Sequence, residues 1–77
     1  MKVEDREILF IKRNAPRGFN NLIMEYLEAR GVKENRTRIH TEISTIKSSY
    51  NEPIILAARY ILKHVKGVEY NSQLIEA

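Results

Sequence analysis

The 77-residue chain carries thirteen Lys and Arg against ten Asp and Glu, a net charge of +3, and it contains no cysteine. These totals predict one small domain with a thin core, and they exclude disulfides and thiolate-bound metals as sources of stability. The sequence holds no apolar run near the roughly 20 residues that span a bilayer. Acids also occupy the start of the chain, where a signal peptide has its apolar stretch. We therefore expect a cytoplasmic protein with no membrane partner.

The basic residues are concentrated in the middle of the sequence. Only Glu34 and Glu42 supply negative charge in a segment that carries Arg30, Lys33, Arg36, Arg38 and Lys47. A basic segment of this kind is a candidate surface for a polyanion. The alternative is that these side chains form an ordinary solvated surface.

Four segments with helical features follow one another along the chain. Residues 4–13 contain a short apolar run that favours a helix, with a strand as the alternative. Pro16 and Gly18 then interrupt the chain. Residues 19–30 place Phe19, Leu22, Ile23, Tyr26 and Leu27 on one helical stripe, and we expect Gly31 to cap that helix in the left-handed conformation.

The third segment, residues 35–47, has an unusual polar face. Asn35 is its expected N-cap, and Ile39, Ile43 and Ile46 fall in one narrow sector of the helical projection. The opposite side and its borders carry hydroxyls and bases, namely Arg36, Thr37, Arg38, His40, Thr41, Ser44, Lys47 and Ser48. Thr and Ser are indifferent helix formers, so helix stability alone does not account for them.

The fourth segment has the longest predicted apolar face. Asn51 is its expected N-cap, Pro53 suits the first turn, and Gly67 ends it. Its expected core residues are Ile54, Ile55, Ala58, Ile61, Leu62 and Val65. We predict an all-α fold, a small helical bundle of three main helices plus a short N-terminal helix or strand. Residues 1–67 form a single domain in this interpretation, and residues 68–77 form a C-terminal tail.

This order of elements resembles the helix-turn-helix domains of the phage repressor and Cro family. The resemblance covers about residues 15–65 and rests on PRGF (16–19), the Gly31-Val32 turn, Ile39 with Ile43, and NEPIILAARYIL (51–62). The sequence departs from the family pattern at Lys33 and Glu34, two extra residues in the turn, and at Leu27, where a small residue is usual. The loop that follows the third segment is also longer than is typical.

The resemblance implies that residues 35–47 form a recognition helix in the major groove of double-stranded DNA. Candidate base contacts are Arg36, Thr37, Arg38, His40, Thr41 and Ser44, since Arg pairs with guanine and hydroxyls bond either base type. Candidate phosphate contacts are Arg17, Asn20, Asn21, Lys47, Ser48, Ser49 and Asn51. The family would make the protein a transcriptional regulator of phage or mobile-element type. For Asn20, Ser48, Ser49 and Asn51 the alternative is a role in turns and caps only, and for His40 a solvated position.

A second hypothesis is a helical protein-interaction module that forms a homo- or hetero-oligomer without DNA binding. Leu56 and Tyr60 lie opposite the core face of the fourth helix, and Tyr70 follows in the tail. Together they predict an oligomer interface, which in the first hypothesis is a homodimer interface. The pattern predicts no enzyme, because no nucleophile lies beside an oriented base. It also predicts no cofactor, no metal site and no small-molecule substrate.

Overall fold

A computed structural model describes residues 3–47 and 49–70, and within them the chain is helical and has no strand. The elements are α1 (Asp5–Asn14), α2 (Phe19–Ala29), α3 (Arg36–Ser44), α4 (Glu52–Ile61) and a π-helical segment (Leu62–Lys66) that continues α4. The all-α prediction is therefore confirmed, and the first segment is a helix rather than a strand. Ser48 and residues 71–77 of the predicted tail lie outside the described residues.

Local sequence signals set the helix ends. The Asn35 side chain accepts a hydrogen bond from the Arg38 N–H at 2.7 Å, and the Asn51 side chain accepts one from the Ile54 N–H at 3.2 Å. Each bond satisfies one of the backbone donors left free in the first turn. At the end of α2, Gly31 has φ 78°, and the Val32 N–H bonds the Leu27 carbonyl at 2.9 Å. This is the left-handed cap that the sequence predicts.

One apolar core joins the four helices. It contains Ile8 and Ile11 of α1, the α2 stripe, two isoleucines of α3 and most of α4, in full Ile8, Ile11, Phe19, Ile23, Leu27, Ile39, Ile43, Ile54, Ile55, Ala57, Ala58, Ile61 and Leu62. Each fully buried isoleucine contributes roughly 1.5–3 kcal/mol relative to an exposed one. Ala57 and Ala58 are both completely buried, and their small side chains allow close approach of neighbouring helices. Helix α3 is held against this core by Ile39 and Ile43.

The third helix is shorter than predicted. It ends at Ser44 because Thr45 adopts an extended conformation, with φ −120° and ψ 127°. Ile46 thereby leaves the apolar sector and is 49% exposed, so its assignment to the seam was wrong. Val65 is likewise 53% exposed rather than part of the core, because the chain has changed from an α- to a π-helical turn before it.

A buried ion pair joins the first and last helices. Glu7 is only 2% exposed, and its two carboxylate oxygens accept from Arg59 Nε at 2.5 Å and Arg59 Nη2 at 2.7 Å. Hydrogen bonding to Glu7 raises the pKa of Arg59 above its ordinary value. The pair is bidentate, the geometry in which a guanidinium and a carboxylate interact most strongly. The sequence did not predict this pair, whose two residues lie 52 positions apart along the chain.

The segment after Gly67 returns to α1. Val68 packs against the core, and the Tyr70 ring meets Phe10 edge-on at 5.7 Å between centroids. The Tyr70 hydroxyl donates to Glu4 Oε2 at 2.7 Å, and this bond to a carboxylate raises the pKa of Tyr70 to about 12. Residues 68–70 therefore lie against the helical domain.

The Glu7–Arg59 pair predicts a clear asymmetry between single and double substitutions. Arg59→Met leaves a carboxylate buried without its partner, and we expect it to lower the free energy of unfolding by about 3 kcal/mol. We take the low end of the range for a broken buried pair because the Arg59 side chain is 37% exposed. The double variant Glu7→Leu, Arg59→Met removes both charges and should recover most of the loss. Urea denaturation measures the free energy of unfolding of the single and the double variant.

Arg13→Met is the matched control, because Arg13 is an exposed arginine of α1. It should change stability by less than about 0.5 kcal/mol. An Arg59→Met variant as stable as this control would show that the pair does not hold α1 to α4.

Candidate nucleic-acid interface

Helix α3 presents its polar side to solvent. Arg36, Thr37, Arg38, His40 and Thr41 are all exposed, whereas Ile39 between them is completely buried. The contrast arises because residues one helical turn apart share a face. Five of the six residues predicted to contact bases therefore lie on the accessible side of one helix. The sixth, Ser44, is half-buried at the C-terminal end.

The hydroxyls of this face have defined hydrogen bonds. Thr41 Oγ1 donates to the Thr37 carbonyl at 3.0 Å, and Ser44 Oγ donates to the His40 carbonyl. A hydroxyl whose proton is used in this way still has lone pairs that accept hydrogen bonds. In the major groove such acceptors match the amino groups of adenine and cytosine.

A groove beside α3 brings two sets of predicted residues together. Arg36, His40 and Ser44 line it from α3, and Asn20 and Asn21 line it from the start of α2. Its volume is about 480 Å³, and the remaining lining residues are Lys12, Ala15, Pro16, Gly18, Phe19 and Ile43. Three elements thus contribute cations or amide groups to one concave surface. Among the predicted phosphate contacts, Asn20 and Asn21 lie beside the predicted base contacts.

The other predicted phosphate contacts are placed differently. Arg17 and Ser49 are exposed outside the residues that line the groove. Asn51 uses its side chain to cap α4, which agrees with the alternative given for it above. Lys47 forms an ion pair with Glu42 and donates its backbone N–H to the Tyr50 hydroxyl at 2.8 Å. Because Lys47 already has an acidic partner, it is a weaker candidate for a phosphate contact than the sequence suggests.

Glu42 faces the interior rather than the polar side of α3. It is 7% exposed, and its Oε1 accepts from the Asn51 N–H at 2.6 Å. The four-residue spacing from Arg38 would allow an ion pair along α3, but the Glu42 carboxylate instead binds Lys47 and the residue that caps α4. The sequence spacing could have indicated this inward orientation, because residue 42 lies three positions after the buried Ile39 and therefore on the same side of the helix. As a result, the only acid of the basic middle segment that lies near the exposed face is Glu34.

Arg38 is held from two sides by the residues that precede α3. Its backbone N–H bonds the Asn35 side chain, and its Nε lies 3.3 Å from Glu34 Oε1. The Arg38 side chain is 58% exposed, whereas that of Glu34 is 17% exposed. The guanidinium thus extends toward solvent from the less exposed carboxylate. The sequence predicted the exposure of Arg38 but not this partner.

The predicted oligomer residues occupy two different places. Leu56 and Tyr60 are 45% and 43% exposed on α4, as their positions predict. The Tyr60 ring packs in a tilted arrangement against Tyr26 and His64, with 4.6 Å and 4.2 Å between ring centroids. The Arg30 guanidinium lies 3.7 Å from the centroid of the Tyr26 ring. Tyr70, in contrast, is engaged with α1.

A second pocket of about 360 Å³ lies between α1, α4 and residues 68–70, with the Glu7–Arg59 pair in its wall. Within residues 3–47 and 49–70, His, Asp and Glu side chains do not gather in groups of three or more suited to a metal. Over the same residues, each helix is too short or too polar to cross a membrane.

Comparison with protein-family models, curated proteins and solved structures found no match for this chain.

Proposed function

We propose that this protein binds double-stranded DNA by inserting the exposed side of α3 into the major groove. The observation that carries the proposal is that side itself: Arg36, Thr37, Arg38, His40 and Thr41 are all exposed, and Glu42 is turned away from them. A surface of guanidinium, imidazole and hydroxyl groups supplies both donors and acceptors for base edges.

The dimensions and position of α3 suit this role. The major groove is about 12 Å wide and admits one α-helix. In helix-turn-helix proteins the N-terminal residues of the second helix contact the bases. Arg36, Thr37 and Arg38 form the first turn of α3, so the longest and most basic side chains lie at that end.

The groove between α2 and α3 supplies the expected backbone contacts. Asn20 and Asn21 lie in the first turn of α2, where free N–H groups and side-chain amides suit a phosphate. Lys12 lines the same groove from α1. Contacts of this kind fix the register of the protein on the duplex and do not read its sequence. By analogy with the family that the sequence resembles, the biological role is transcriptional regulation of phage or mobile-element type.

Charge reversal on α3 tests the proposal. Arg38→Glu should lower the affinity for a random-sequence duplex at low salt by at least about tenfold, because it places a second acid beside Glu34 on the surface that would face the DNA. Binding by the parent chain should weaken steeply as salt is raised, since each neutralised phosphate releases counterions. Fluorescence anisotropy at two or more salt concentrations measures both effects.

Lys66→Glu provides the matched control, with the same change in net charge at an exposed site of the π-helical segment. It should weaken binding much less than Arg38→Glu. Equal losses in the two variants would indicate attraction by net charge alone and would exclude α3 as the contact surface.

We propose as a second candidate a protein-interaction module without DNA binding. The observation that favours it is the exposure of Leu56 and Tyr60 one turn apart on α4. Paired exposed apolar side chains are more typical of an interface than a single one.

The Leu56→Asp, Tyr60→Asp double variant tests this candidate by sedimentation velocity. If the parent chain self-associates through α4, the variant should sediment as a monomer at concentrations where the parent does not. A parent that is monomeric throughout, or a variant that associates equally well, would rule out this surface as a homo-oligomer interface.

A further inference from the structure

Glu34 and Arg38 form a unit at the edge of the proposed DNA-binding surface. The Glu34 carboxylate is largely buried, and its Oε1 lies 3.3 Å from Arg38 Nε. The Asn35 side chain between them in sequence holds the Arg38 backbone N–H at 2.7 Å. The main chain and the side chain of Arg38 thus both contact the two residues that immediately precede α3.

This contact leaves the far end of the guanidinium available. A guanidinium has five N–H donors in a planar fork, and Nε is the Arg38 nitrogen nearest to Glu34, at 3.3 Å from Oε1. Within residues 3–47 and 49–70, no hydrogen bond involves the two terminal nitrogens of Arg38. Those nitrogens carry a pair of parallel N–H groups, which match the O6 and N7 acceptors of guanine.

We infer that Glu34 is a positioning residue that makes Arg38 a reader of guanine rather than a contact to phosphate. This inference rests on the proposed DNA binding and assigns a base to one residue of that surface. A guanidinium already paired with a carboxylate contributes little net charge, so its attraction to phosphate at any position on the duplex is weak. The same pairing restricts its rotation, so less entropy is lost when it forms two hydrogen bonds to one base.

The inference predicts opposite effects of Glu34 on affinity and on selectivity. Glu34→Ala removes a negative charge beside the proposed interface, so affinity for bulk duplex should stay the same or rise. It also releases Arg38, so the preference for guanine should fall. A residue with only a structural role would lower both properties together.

The experiment is selection of random-sequence duplexes by the purified chain, followed by sequencing. The parent should enrich guanine at one position, and replacing that guanine in a single selected duplex should weaken binding by roughly tenfold or more. Glu34→Ala should abolish most of that difference. Glu34→Gln should retain much of it, because the amide keeps an acceptor oxygen beside Nε although the charge is gone.

Two further variants complete the design. Arg38→Lys keeps the positive charge but lacks the planar fork, so it should bind bulk duplex and show a weaker guanine preference than the parent even if Glu34→Ala proves unstable. Glu25→Ala removes one acid at an exposed site of α2 and controls for net charge. Circular dichroism verifies that each variant is folded.

The outcomes separate the inference from the function on which it rests. A parent that binds duplex in a salt-dependent way but selects no guanine position that depends on Arg38 would overturn the inference and leave the proposed function intact. An unchanged guanine preference in Glu34→Ala would also overturn it. Failure of the parent to retain any duplex at low salt would overturn both.

Discussion

The inward orientation of Glu42 is the constraint on which the proposed interface depends. Its carboxylate accepts the Asn51 N–H and pairs with Lys47, so it links α3, the loop that follows and the first residue before α4. A carboxylate near a helix N-terminus is favoured by the helix dipole as well as by the hydrogen bond. With Glu42 committed to this role, the exposed side of α3 has no acid of its own. The same contacts end α3 at Ser44 and bring Lys47 back toward the core, which limits the surface to the first two turns of the helix.

The two apolar anchors of α3 complete the arrangement. Ile39 and Ile43 hold one side of the helix in the core, so rotation about its axis would bury charged groups at a large cost. The Glu7–Arg59 pair joins α1 to α4, two of the three helices against which α3 packs. A buried bidentate pair contributes less net stability than its geometry suggests, yet it is costly to break. We interpret the pair as an interaction that fixes the position of α1 relative to α4, and thereby the surface against which α3 packs.

Much of this fold follows from short-range signals in the sequence. Asn35, Asn51 and Gly31 cap the helices as predicted, because caps depend on one or two neighbouring residues. The apolar stripe of α2 is buried at Phe19, Ile23 and Leu27 as its period predicts. The exposure of Arg36, Thr37 and Arg38 followed from the position of Ile39 by the same reasoning. Patterns with a period of one helical turn therefore gave both the core and the orientation of the candidate site.

The features that the sequence did not predict are of two kinds. They are long-range contacts, or segments in which such contacts override a local helical pattern. Glu7 and Arg59 each look like ordinary solvated residues, and only the tertiary fold brings them together. Residues 45–47 could extend α3 by pattern alone, but the contacts of Lys47 with Glu42 and Tyr50 favour an extended chain there. Glu34 lies in the turn between α2 and α3, and its contact with Arg38 depends on how that turn closes.

The most direct test of the account is to map the duplex-binding surface by following the backbone amide resonances of the full chain as random-sequence duplex DNA is added. If α3 enters the groove, the largest shift changes should fall on residues 36–41 and at Asn20 and Asn21, with Leu56 and Tyr60 nearly unchanged. Changes centred on Leu56 and Tyr60, or no changes at low salt, would contradict it.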